Sequence, residues 1–225
     1  MREVRKRDDL PPHTAPSEAL GMVLLCFGST IFGSLAVMSG PVRLVSFSDD
    51  AVAAVIFFQC VLGIIALAVL HVRAYPLRSL VPRPSWRGTL AGIGLCLCCA
   101  LVGMLVFWLA PHPSGSPLGD MVPAAHVSWY SILLMVLVDG SYGEIFLLAY
   151  LMRGLRRFGA STAIGITVLI RVLGHMYQGP ACALAMALCG VVLGIYYHYR
   201  GRLFPVVLAH VVCYVVPYFY FYQSA

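Results

Sequence analysis

Charge is the scarcest commodity in this chain. Only 11% of its 225 residues are Asp, Glu, Lys or Arg, and nine of those are acidic. Soluble domains carry about 25% charged residues, so a fully water-facing surface is excluded and a bilayer is implied as solvent. Other absences narrow the class further. The alternating segments of about ten residues that build a transmembrane barrel are missing. So are the HExxH of zinc proteases, the internal repeat of an inverted-repeat transporter and any basic-aromatic groove or motif for nucleic acid. The first apolar run, about Ala19 to Met38, is too long for a signal-peptide core and has no clear small-x-small cleavage site. It is expected to be a retained anchor.

Apolar residues are abundant, at 60% of the chain. A helix crossing the hydrocarbon needs about 20 of them in a row. On that measure the sequence predicts an all-α polytopic membrane bundle of about seven helices, at 19–39, 51–72, 89–110, 127–152, 160–177, 181–199 and 203–221. Residues 1–18, polar and Pro-rich, read as a disordered cytoplasmic tail, and 19–225 as one transmembrane domain. Arg2, Arg5, Lys6 and Arg7 precede the first span, and Arg73, Arg78, Arg83 and Arg87 fall between the second and third. Arg153, Arg156 and Arg157 follow the fourth, while Arg200 and Arg202 separate the sixth from the seventh. Thirteen of fifteen basic residues thus sit in alternate connections, against Arg43 alone in the others. Cytoplasmic loops retain Lys and Arg, so the N-terminus is expected inside and the C-terminus outside. The net charge of +6 points to anionic lipid headgroups as a partner.

Local signals mark the helix ends. Ser161 or Thr162 is expected to cap the fifth helix, Pro180 to begin the sixth, and Pro205 to fall in the first turn of the seventh. Gly190 and Gly194, with Ala183 and Ala187 before them, form a small-residue stripe suited to close helix approach in lipid. The loop 111–126, without Lys or Arg, reads as exterior, and the aromatic residues from Tyr214 to Tyr222 as an interface belt. His198 is expected to serve the C-terminal end of the sixth helix or to meet lipid headgroups. All eight cysteines lie in apolar stretches, where Cys packs as a small hydrophobe, and the lone C-x-x-C of Cys96 and Cys99 has no partner ligands.

Ionisable groups at membrane depth are functional candidates by default. They are Asp139 and Glu144 in the fourth span, Arg171 and His175 in the fifth, and His210 in the seventh. Arg171 and His175 share a helix face, as do His210 and Tyr214, because each pair is four residues apart. An acid with two histidines and an arginine suits activation of water for attack on a carbonyl. The same set also suits a proton relay or a metal site.

Three motifs occur in order. The first is Gly143-Glu144, followed by Leu147-Leu148-Ala149-Tyr150-Leu151 and the basic Arg153, Arg156 and Arg157. The second is Arg171-Val172-Leu173-Gly174-His175-Met176-Tyr177-Gln178-Gly179. The third is Gly201-Arg202-Leu203-Phe204-Pro205, leading to Ala209-His210 and Tyr214. From about Val127 to Tyr220 the chain resembles the CAAX-protease and bacteriocin-processing family of glutamic-type intramembrane proteases. Its motifs are a Glu-Glu pair before a basic patch, a His near Tyr-Gln-Gly, and a His-x-x-x-Asn/Asp after Gly-Arg-Leu-x-Pro.

The resemblance implies a catalytic core at about 127–221, made by the last four helices, with the first three as a shell. It implies an endopeptidase acting on a membrane-associated peptide or protein; no cofactor is expected and no residue is assigned as a metal ligand. Glu144, His175 and His210 match the family's pattern, whereas its first Glu falls on Gly143, an Arg on Leu148 and the Asn/Asp on Tyr214. The implied roles are water activation by a carboxylate and His175, oxyanion stabilisation by His210 with Tyr214, and positioning by Glu144 and Arg171. Asp139, four residues before Gly143 and about 6 Å away along one helix face, is expected to supply the missing carboxylate. The alternative is an inactive pseudoprotease of the same fold that binds membrane partners; a proton-coupled transporter is a third reading. The compact size and simple loops suit a bacterial cytoplasmic membrane.

Overall fold

The computed structural model describes residues 14–40, 48–109 and 127–222, with the side chains of Tyr214 and of 216–222 not among them. The expected tail up to residue 13 and the exterior loop therefore lie outside the described residues, as do the side chains of the expected aromatic belt. The fold is an all-α bundle: α1 Pro16–Ser39, α2 Asp49–Val72, α3 Trp86–Leu109, α4 Trp129–Glu144, α5 Ala160–His175, α6 Pro180–Arg200 and α7 Leu203–Tyr222. With the turns that extend α4 to Met152 and α5 to Gln178, six helices are long and apolar enough to cross a membrane by their described residues, and α7 is apolar over Leu203–Cys213. The spans read from hydropathy match these helices closely.

Two boundaries differ from expectation. Helix α1 begins at Pro16, earlier than the sequence boundary at residue 19, because Pro occupies its first turn and Glu18 offers a carboxylate to the helix start. Neither Ser161 nor Thr162 caps α5, which starts at Ala160 behind Gly159. Gly159 has φ 96°, a left-handed conformation that only glycine adopts without strain, so the backbone itself makes the turn. Gly179, at φ 94°, makes the same turn before α6, whose first residue is Pro180 as expected.

Past Glu144, α4 continues as a π-helix from Ile145 to Met152. Its residues from Phe146 to Met152 are buried without interruption, so this segment has no lipid-facing side. It packs against α5, α7 and the short turn Leu77–Leu80 and forms the centre of the main apolar core.

Around this core the helices approach through small residues. In lipid, packing rather than water exclusion joins helices, and missing side chains allow closer contact. A Cβ placed on Gly190 would lie 3.3 Å from Arg171 Cδ and Val168 Cγ2, and one on Gly194 would lie 3.3 Å from Ile164. The predicted stripe of α6 is thus the seat of α5. A second pair, Gly88 and Gly92, seats α3 on α7: a Cβ on Gly92 would meet Leu208 at 2.9 Å and the Pro205 carbonyl at 3.0 Å. Cys213 Sγ also reaches Cys96 Sγ at 3.1 Å across this contact, and all eight cysteines are free thiols.

The basic connections gather at one end of the bundle. Glu18 accepts from Arg73 at 3.2 Å and from the Tyr150 hydroxyl at 3.4 Å. Arg153 donates to the Tyr197 hydroxyl at 3.0 Å. Arg156 donates to the Tyr197 and His198 carbonyls, covering the C-terminal end of α6, where a cation also complements the helix dipole. His198 itself lies in the last turn of α6. At the opposite end Asp49 accepts from the backbone and hydroxyl of Ser128, tying the start of α2 to the start of α4.

Gly190→Leu is expected to lower stability by about 1–3 kcal/mol, because overpacking here displaces the Arg171 stem. Gly143→Ala, with nothing within 4 Å of the added carbon, is the contrast and is expected to be neutral or stabilising by up to about 1 kcal/mol. Unfolding curves of the two purified variants in one detergent check the difference.

Candidate active site

Helix α4 presents two neighbouring stripes of functional side chains. Gly140 and Glu144, four residues apart, face α7. A Cβ on Gly140 would already be 3.2 Å from Val211 and 3.4 Å from the His210 ring, so this glycine brings α7 close enough for His210 to reach Glu144. Asp139 and Gly143, one position back, line a cavity between α1, α2, α4, α5 and α7.

The first stripe ends in a buried charge cluster. Glu144 is fully buried, and Arg171 and His210 are 7% and 8% exposed. Glu144 Oε1 accepts from Arg171 Nη2 at 2.6 Å and lies 2.6 Å from His210 Nδ1. A carboxylate oxygen can only accept here, so His210 Nδ1 carries the hydrogen. The 3.5 Å approach of Arg171 Nη1 to the same Nδ1 then brings two donors together, and the shared glutamate oxygen holds them there. The other glutamate oxygen, Oε2, is buried with no hydrogen-bond partner among the described residues. Such a carboxylate needs its cation, because an isolated buried charge costs several kcal/mol.

The second stripe opens onto a cavity of about 60 Å³, enough for a few water molecules. Asp139, Gly143, Arg171, His175 and His210 contribute to its wall. His175 Nδ1 is 2.8 Å from the carbonyl of Arg171, one turn back on the same helix. A carbonyl accepts only, so Nδ1 donates, and the neutral ring presents Nε2 as a base. Asp139 Oδ1 accepts from Gln59 Nε2 at 2.6 Å. No atom lies within 4 Å of a Cβ built on Gly143, so the absent side chain leaves open space beside the acid and the histidine.

Five of the six candidate residues therefore converge, but in two groups. Asp139 and His175 line the cavity, Arg171 and His210 border both cavity and cluster, and Glu144 is not among the residues lining the cavity. Tyr214 lies in α7 with its side chain outside the described residues. Leu148, where the family's pattern has an Arg, is buried in the π-helix. Among the described residues, no three His, Cys, Asp or Glu side chains form a metal-ligand group. Gln59 escaped the sequence reading. Its signal was available, since no other amide, hydroxyl or charged side chain occurs between Asp50 and His71 in α2. The first two helices are also more than a shell, because α1 supplies Phe27, Thr30 and Ile31 to the cavity and α2 supplies Gln59.

Residues 125–216 match the family model described as Rce1-like, type II CAAX prenyl endopeptidase Rce1-like. That match supports membership of the CAAX-protease and bacteriocin-processing family and bears out the resemblance read from the motifs. No curated protein and no solved structure compared with the chain matches it.

Breaking the buried pair is expected to cost more than replacing it. Arg171→Met alone leaves Glu144 charged and without its cation, and should destabilise by about 3–5 kcal/mol. Adding Glu144→Gln, which keeps an acceptor for His210, is expected to recover part of that loss. A double-mutant cycle of unfolding free energies checks the sign of the coupling.

Proposed function

We propose that the protein is an intramembrane endopeptidase that hydrolyses a peptide bond of a membrane-associated substrate, with Asp139 as the carboxylate that works with His175. The observation that carries this reading is the shared cavity: Asp139, His175 and the side-chain-free Gly143 line one space large enough for water. The family pattern places a glutamate at Gly143, and Asp139 lies one helical turn before it on the same face.

In the proposed reaction the substrate carbonyl enters the cavity beside a water held by Asp139 and His175. His175 Nε2 takes a proton as the water oxygen bonds to the carbonyl carbon, and the carbonyl oxygen gains the negative charge. His210, its Nδ1–H held by Glu144, stabilises that oxyanion together with Tyr214 when its ring also carries a hydrogen on Nε2. Glu144 holds His210 and Arg171 in place rather than touching the substrate. The proton on His175 then passes to the leaving nitrogen, the C–N bond breaks, and the products are a carboxylic acid, which keeps the second proton of the water, and an amine. Preorganised donors in a water-poor site lower such a barrier by a few kcal/mol each.

The chain is placed in this reading as a multi-pass protein with its arginine-rich end on the cytoplasmic side, against anionic headgroups, following the retention of basic residues in cytoplasmic loops. One observation favours a second reading. Glycine at the position of the family's first glutamate is what a pseudoprotease, binding membrane peptides without cutting them, would carry.

Cleavage of membrane-anchored peptides in reconstituted liposomes separates the two. For the enzyme, wild type cuts, and both His175→Ala and Asp139→Asn lower the rate by about 10²–10⁴-fold. For the pseudoprotease, wild type matches His175→Ala and only Gly143→Glu, whose side chain has room in the cavity, gains activity. Cleavage by wild type that survives Asp139→Asn unchanged removes Asp139 from the mechanism.

A further inference from the structure

Helix α2 lies outside the segment that matches the family model, yet it sends one polar side chain into the site. Its register explains why. Gln59, Gly63, Ala66 and Leu70 recur at helical spacing and form one face. Ala66 and Leu70 are fully buried, and a Cβ on Gly63 would lie 3.5 Å from the Tyr142 ring of α4. Packing of that face on α4 delivers Gln59 beside Asp139, and the resulting contact of 2.6 Å spans 80 residues of sequence.

The chemistry of the contact has a direction. The amide nitrogen donates and the carboxylate accepts, so the bond fixes one oxygen of Asp139. The other end of the amide, Gln59 Oε1, is buried with no hydrogen-bond partner among the described residues. An unpartnered buried oxygen costs free energy, so packing alone would favour Met or Leu at this position. The return on the amide is its N–H.

We infer that Gln59 is a positioning residue for Asp139: it orients the carboxylate toward the cavity so that the second oxygen faces the attacking water. The inference rests on the role proposed for Asp139, and adds a member of α2 to a site otherwise drawn from α4, α5 and α7. Gln59 does not touch the substrate; it acts through the acid.

Two variants in liposomes test this, Gln59→Met, close in volume and without an amide, and Gln59→Glu, the same shape with an acceptor in place of the donor. The first readout is the infrared band of the Asp139 carboxyl, isolated by subtracting the spectrum of Asp139→Asn in each background. A shift of that band in both variants is expected, and an unmoved band in folded protein overturns the inference whether or not cleavage occurs. The second readout is kinetic: kcat is expected to fall about 10–100-fold with KM within about threefold. A raised KM at unchanged kcat places Gln59 on the substrate and overturns it. Cleavage unaffected by Asp139→Asn defeats the proposed function instead, while the infrared comparison still decides the pairing. Unfolding curves confirm that the shape-matched Gln59→Glu is folded.

Discussion

One oxygen of Glu144 serves three helices. It takes a hydrogen bond from Arg171 of α5 and one from His210 of α7, each at 2.6 Å, with no exposure to solvent. In a hydrocarbon surrounding, none of these groups is stable alone, since an uncompensated charge at membrane depth costs at least a few kcal/mol. Mutual pairing relieves that cost and at the same time fixes where α5 and α7 stand against α4. Hydrophobic contact cannot do this, because lipid tails are as good a partner for leucine as another helix is. The specificity of the arrangement comes from charge and from close packing.

Glycine makes the packing close enough. Gly140 admits the His210 ring, Gly190 admits the stem of Arg171, and Gly88 with Gly92 seat α3 against α7 behind His210. Polar ties reinforce these approaches at other levels of the bundle. The Tyr142 hydroxyl donates to the Cys26 carbonyl, and the Tyr177 amide donates to Ser34, so α1 is held along α4 and the end of α5. With α1 and α2 held there, a cavity remains that the last four helices do not close by themselves. Arg171 and His210 contribute to its wall, and beside Gly143 there is open space. The chemistry proposed for the cavity and the scaffold beneath it thus share residues but divide the labour: Asp139 and His175 face the space, and Glu144 supports what surrounds it.

The number and limits of the spans were legible because hydropathy is a local property that the bilayer imposes on each segment separately. Asp139, Glu144, Arg171, His175 and His210 were equally legible, as charged or titratable groups interrupting apolar runs. Gln59 stands alone as an amide in its apolar run, but it carries no charge, and its pairing with Asp139 spans 80 residues of sequence. The Gly88–Gly92 pair has the same spacing as Gly190–Gly194 but sits at the start of its helix. The π-helical stretch after Glu144 had no local sign at all, since Ile145 to Met152 suit an ordinary helix and the choice rests on packing from every side.

By itself the sequence determined that this is an all-α membrane bundle, where its helices run, which connections carry the arginines, and which titratable residues are at membrane depth. These follow from composition and from periodicities that extend over a turn or a span. The tertiary structure decided which acid pairs with which cation. It assigned Glu144 to Arg171 and His210, gave Asp139 to Gln59, and left His175 bonded to its own helix beside the cavity. Those assignments depend on how helices distant in sequence cross. A crossing is set by glycine contacts and a shared carboxylate oxygen, and no single segment encodes either.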